Sequence, residues 1–183
     1  MKRLAVALGL VLAGVGFARA AGPFTLASTS FKDTDVGDVR FAGALKDNPN
    51  CVGQNVSPQL SWSNVPDGTR SLALLLIDPE GAGGRGVAHF VAYNIAPTVT
   101  GFDEGELARP SGKYVGGKST QGLPVYTGPC TPPNTTYHHY TFVLIATDLD
   151  PTLPPGLTRD ELTAKLQGHA KGAAGIMFRF KHP

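Results

Sequence analysis

Between Ser71 and Ile95 the chain reads SLALLLIDPEGAGGRGVAHFVAYNI. Leu72 to Ile77 is unbroken apolar sequence, and Asp78-Pro79-Glu80 stops it. A link containing Gly81, Gly83, Gly84 and Gly86 follows, and a second apolar run extends from Phe90 to Ile95. Short apolar runs bounded by turn residues read as two buried strands joined by a loop. This pattern places a carboxylate, Asp78, where one buried strand ends and an imidazole, His89, where the next begins. A second edge of the same kind is His138-His139-Tyr140, just before an apolar strand over 141–147. We expect the two edges to meet and to line one small polar pocket.

The remaining sequence sets the surroundings of these strands. Residues 24–31 alternate weakly and suit an edge strand, and residues 39–42 suit a second short one. Gln59 to Trp62 alternates with Leu60 and Trp62 on one face, so it reads as a strand. Turns are expected at 46–50, 55–58 and 65–69, the last through Pro66-Asp67-Gly68. Residues 96–128 lose periodicity and read as a long loop, which inside a compact domain is usually functional or mobile. Residues 148–156 form a proline-rich connection. Thr158 to Ala170 is the one expected helix, with Thr158 and Glu161 as a capping box and Leu162 and Leu166 on one face. Gly175 to Phe180 closes the chain as a strand. With 23 glycines and 15 prolines in 183 residues, many short strands and turns fit better than a helical bundle. No strand–helix alternation supports a parallel sheet, so the expected fold is mainly β and antiparallel.

The first twenty residues read as a cleavable signal peptide, leaving 21–183 as one domain. Lys2 and Arg3 precede an apolar run from Leu4 to Phe17, and Ala18-Arg19-Ala20 supplies small residues at cleavage-type positions. No other stretch could span a membrane. The expected location is periplasmic or secreted. Without residues 1–20 the chain carries 13 basic and 14 acidic residues, a net charge of −1. No basic stripe remains to suggest a nucleic-acid partner. Cys51 and Cys130 form a disulfide in an oxidising compartment, or remain as two buried thiols; the sequence leaves both open.

Several residues carry chemistry in this pattern. Asp78 can accept backbone amides as an Asx-type turn stabiliser, or it can orient a histidine. His138 and His139 point to opposite faces of a strand, so only one can line a given pocket. Tyr140 shares a face with His138 and offers a hydroxyl. Glu80 reads as solvated, and His169 and His182 as surface residues. Gly128-Pro129-Cys130 is a rigid turn. No metal-ligand spacing occurs: there is no His-x-x-x-His and no Cys-x-x-Cys. Gly-x-Ser-x-Gly is absent, and the 81–86 glycines lack the ending of a phosphate-binding loop.

In order, the chain presents Asn55-Val56-Ser57-Pro58 with Leu60 and Trp62, then Pro66-Asp67-Gly68-Thr69-Arg70-Ser71. Asp78-Pro79-Glu80, His89-Phe90, Gly128-Pro129-Cys130 and His138-His139-Tyr140 follow. This series resembles the phosphatidylethanolamine-binding protein family, also called Raf kinase inhibitor-like proteins, and its bacterial branch in particular. The resemblance implies a large central antiparallel sheet, a smaller flanking sheet and short helices including one near the C-terminus. It also implies a small anion-binding pocket formed by Asp78, His89, Gly128, Pro129, His138 and Tyr140, with Pro79, Glu80 and Cys130 at its rim. The implied ligand is a phosphate-like group, phospholipid headgroups included, and the implied partner is a regulated protein such as a kinase or protease. No cofactor, metal or catalytic residue is implied. The alternative is a weak ester or phosphoester hydrolase using His89 or His138 as base. Three positions depart from the family pattern. Glu80 replaces the second aspartate of Asp-Pro-Asp, Thr131 is gained in the Gly-Pro-Cys-Pro-Pro turn, and His139 replaces the arginine of His-Arg-Tyr.

Overall fold

The computed structural model describes residues 22–183; the signal-type segment at residues 1–20 lies outside the described residues. Among the described residues eight strands are present: β1 (Thr25–Ala27), β2 (Leu60–Ser63), β3 (Ser71–Asp78), β4 (Val87–Ile95), β5 (Gly101–Phe102), β6 (Val115–Gly116), β7 (His138–Thr147) and β8 (Ala170–Phe180). They form a five-stranded sheet in the order β6-β4-β3-β7-β8 and a three-stranded sheet in the order β1-β2-β5. Neighbouring strands in both sheets run antiparallel.

The apolar run in β3 follows from its position at the centre of the large sheet. Side chains alternate between the two faces of a strand, and both faces of β3 are covered. Leu72, Leu74 and Leu76 join one core with Leu26, Leu60 and Trp62 from the small sheet and with Phe90, Phe142 and Phe178. Ala73 and Leu75 join a second core with Val91, Tyr93 and the helix residues Leu162 and Leu166. A strand between two apolar layers has no face left for polar residues.

Several expected elements differ from the observed ones: the 24–31 strand is shorter, and residues 96–128, expected as a loop, carry β5 and β6. Residues 39–42 are not a strand: Val39–Phe41 is a 3-10 turn, because the Asp38 side chain accepts the Arg40 N–H at 2.9 Å and holds the backbone there. The helix spans Arg159–Leu166, not 158–170; its capping box is present, and Gln167 leaves helical geometry before Gly168 turns at φ +81°. Residues 170–174 instead extend β8, pairing with Thr147 to Leu144 of β7. A ladder of cross-strand hydrogen bonds there overrides the helix propensity of Ala170, Ala173 and Ala174. Cys51 and Cys130 are disulfide-bonded, with Cα atoms 4.3 Å apart.

Candidate functional site

Antiparallel pairing brings the two polar edges together. β3 ends where β4 and β7 begin, with Asp78 opposite Val87 and Ile77 opposite Thr141. Asp78, His89, His138 and Tyr140 therefore reach one end of the large sheet. They line a cavity of about 510 Å³ with Glu80, Cys130 and Thr131.

Asp78 is buried at 3% exposure and uses both of its oxygens. Its Oδ1 accepts the backbone N–H groups of Glu80 and Gly81, each at 3.0 Å. Its Oδ2 accepts the His138 Nδ1–H at 2.8 Å. It is thus both the turn stabiliser and the orienter of a histidine.

His89 is equally buried. Its Nδ1 lies 2.9 Å from the Thr127 carbonyl. A carbonyl only accepts, so Nδ1 carries the proton and Nε2 of the neutral ring carries a lone pair. Nε2 stands 4.0 Å from Asp78 Oδ2. Burial pushes His89 below its ordinary value of 6.5, outweighing the attraction of the Asp78 carboxylate.

The sign of the resulting pH effect follows from linkage. With the folded value depressed, the unfolded chain takes up the proton first as pH falls, and the native state loses stability. Urea midpoints are expected to drop as pH falls through and below about 6.5, and to drop less in His89→Gln. An equal drop in the variant would assign the acid sensitivity elsewhere.

Tyr140 packs between aromatic neighbours. It meets His89 edge-on with ring centroids 5.2 Å apart and stacks on Phe178 at 5.4 Å. Its hydroxyl lies 2.9 Å from Thr131 Oγ1. Burial raises this phenol well above its ordinary value, so it remains protonated. Thr131, the extra residue of the turn, therefore supplies the partner that a buried tyrosine hydroxyl requires.

Glu80 is half-exposed but not free. The His139 Nδ1–H and backbone N–H reach its two oxygens at 2.7 and 3.1 Å. Burial raises its value, and the His139 hydrogen bonds outweigh that and lower it. The expectation that Glu80 is merely solvated is corrected, and the residue at the family's arginine position is its partner.

Other expected site residues sit elsewhere. Gly128, Pro129 and Pro79 are not among the cavity-lining residues. The Gly128 N–H donates to Asn55 Oδ1 at 2.9 Å, and the Pro129 carbonyl accepts the Gly43 N–H at 2.8 Å. Glycine is required at 128, because a Cβ there would lie 1.8 Å from the Phe41 carbonyl oxygen. These residues shape the turn behind the wall and offer no donor to a guest. His169 bonds to Asp148 outside the cavity, and His182 is in the tail. Sequence reasoning missed Asn48, Gln121, Thr135 and Val87, which also line the cavity.

Comparison with known proteins agrees with this architecture. The family model described as phosphatidylethanolamine-binding protein matches residues 28–181. The UPF0098 protein of Methanothermobacter thermautotrophicus is 35% identical over 137 residues, 74% of this chain and 89% of that protein. The UPF0098 protein YbcL of Escherichia coli is 35% identical over 146 residues, 78% of this chain and 77% of YbcL. The crystal structure of YbcL, described as a member of the mammalian PEBP family, superposes with a TM-score of 0.78. That superposition covers 86% of this chain and 98% of YbcL, with 26% identity between the superposed residues. The chain belongs to the phosphatidylethanolamine-binding protein family.

Proposed function

We propose that the cavity binds a small anion of the phosphate type, the phosphate of a phospholipid headgroup included, in an exported binding protein without covalent chemistry of its own. The observation that carries this reading is the convergence of Asp78, His89, His138 and Tyr140 on one cavity in a member of this family. The Cys51–Cys130 disulfide supports export, because such bonds persist in oxidising compartments. A partner regulated by the ligand-bound form belongs to the same reading; pull-down from a periplasmic extract, with and without phosphate, tests it.

Hydrogen-bond accounting adds a condition. Both imidazoles already donate from Nδ1, to Thr127 and to Asp78. No lysine or arginine is among the described residues lining the cavity. For either ring to donate to an anion, it must also carry a proton on Nε2. Anion binding is therefore coupled to proton uptake and weakens as pH rises. Calorimetry with inorganic phosphate and with phosphoethanolamine is expected to give saturable heat for the wild-type chain. It is expected to give none for the His89→Ala, His138→Ala double variant. Heat unchanged in the double variant would place binding elsewhere. The Asp78–His138 pair also has the form of a general-base dyad, and turnover in a screen of ester and phosphoester substrates would favour the hydrolase reading instead.

A further inference from the structure

Asp78 Oδ2 lies among other potential ligand atoms. His138 Nδ1 is 2.8 Å away and His89 Nε2 4.0 Å away. Asp78, Glu80 and His138 each place a ligand atom within 4.8 Å of the other two. Two donors held at about 2.1 Å from one ion stand at most about 4.2 Å apart. Both histidine spacings to Asp78 Oδ2 lie within that limit; His89, outside the group of three, and Glu80, whose oxygens accept from His139, complete the shell by side-chain movement.

His89 supplies an independent observation. Its side chain is 4% exposed, and the Thr127 carbonyl fixes its tautomer. The lone pair is thereby left on Nε2, which makes no hydrogen bond among the described residues. A backbone carbonyl holding the far nitrogen is the usual outer support of a metal-binding histidine. Among the described residues lining the cavity, no cationic lysine or arginine opposes a metal ion, and two carboxylates attract one.

We propose that Asp78, Glu80, His89 and His138 bind one divalent transition-metal ion of the zinc class. The ion takes the place of the proton between His138 Nδ1 and Asp78 Oδ2, and that proton leaves to solvent. Two imidazoles with two carboxylates suit zinc; magnesium and calcium favour shells of oxygen. No linear spacing announces the site, because its ligands come from three different strand ends.

The test uses protein without a histidine tag, treated with EDTA and dialysed. ZnCl2 is titrated by calorimetry in phosphate-free buffer, and CoCl2 by visible absorption. One ion per chain is expected, with cobalt d–d bands of a nitrogen- and oxygen-bound ion. Asp78→Asn keeps the oxygen that holds the turn, so the fold persists. This variant and His138→Gln are each expected to weaken zinc binding at least about tenfold. Glu80→Gln, at a half-exposed position, is expected to weaken it severalfold. His169→Gln should leave it unchanged, although His169 also faces a carboxylate, Asp148, at 2.7 Å. Circular dichroism confirms the fold of each variant. No saturable binding by the wild-type protein would overturn the proposal. So would affinity undiminished in both Asp78→Asn and His138→Gln, or lost in His169→Gln. A phosphate titration of the same EDTA-treated protein reports on the anion reading separately, so the two can fail independently.

Discussion

Replacing Phe178 by alanine is expected to lower the unfolding free energy by about 3–5 kcal/mol. Phe178 is fully buried on β8. Its ring meets Phe31 edge-on at 5.2 Å, stacks on Tyr140 at 5.4 Å, and lies 6.2 and 6.4 Å from Phe41 and Phe142. It thus joins the 3-10 turn and the segment before it to the face of the large sheet that carries the cavity. The chain packs so closely that a Cβ at Gly37 would lie 2.5 Å from the Phe178 ring. Backbone collapse into the vacated space is therefore limited, which puts the cost toward the upper end of the range. Urea denaturation measures it. Phe178→Leu should recover most of the loss, and a loss in the alanine variant below about 1 kcal/mol would mean the core is not organised around this ring.

Reducing the Cys51–Cys130 bond is expected to cost about 4.5 kcal/mol, the chain-entropy value for a closed loop of this size. The bond joins positions 79 residues apart. Reduction frees the denatured chain, so the dependence of unfolding on urea should also steepen. A Cys51→Ser, Cys130→Ser double variant should match the reduced protein. An unchanged urea midpoint on reduction would contradict this. The bond also has a place in the site, since Cys130 lines the cavity and Asn48 lines it from the loop that Cys51 anchors.

Much of this arrangement is legible in the sequence because strand ends coincide with changes of polarity. Leu72 to Ile77 stops at Asp78, and antiparallel pairing does the rest. The alternation rule separates His138, facing the cavity, from His139, which reaches Glu80. What stays hidden depends on backbone groups and on loops. The Thr127 carbonyl that fixes the tautomer of His89 has no signature in any side chain. The Asn55 side chain captures the Gly128 N–H across 73 residues, and this removes a donor that the glycine turn offers on sequence grounds. Asn48, Gln121 and Thr135 enter the cavity from segments without periodicity. The start of β8 is hidden for a different reason: its alanines and glycines state no preference strong enough to outweigh pairing with β7.

The most direct test of the anion pocket is a phosphate titration followed by NMR of the imidazole nuclei at mildly acidic pH, in EDTA-treated protein. Saturable shifts confined to His89 and His138, with His169 and His182 unmoved, are the expected result. Saturable binding that leaves His89 and His138 unshifted, or no saturable change at any histidine, would contradict a phosphate-type guest in this cavity.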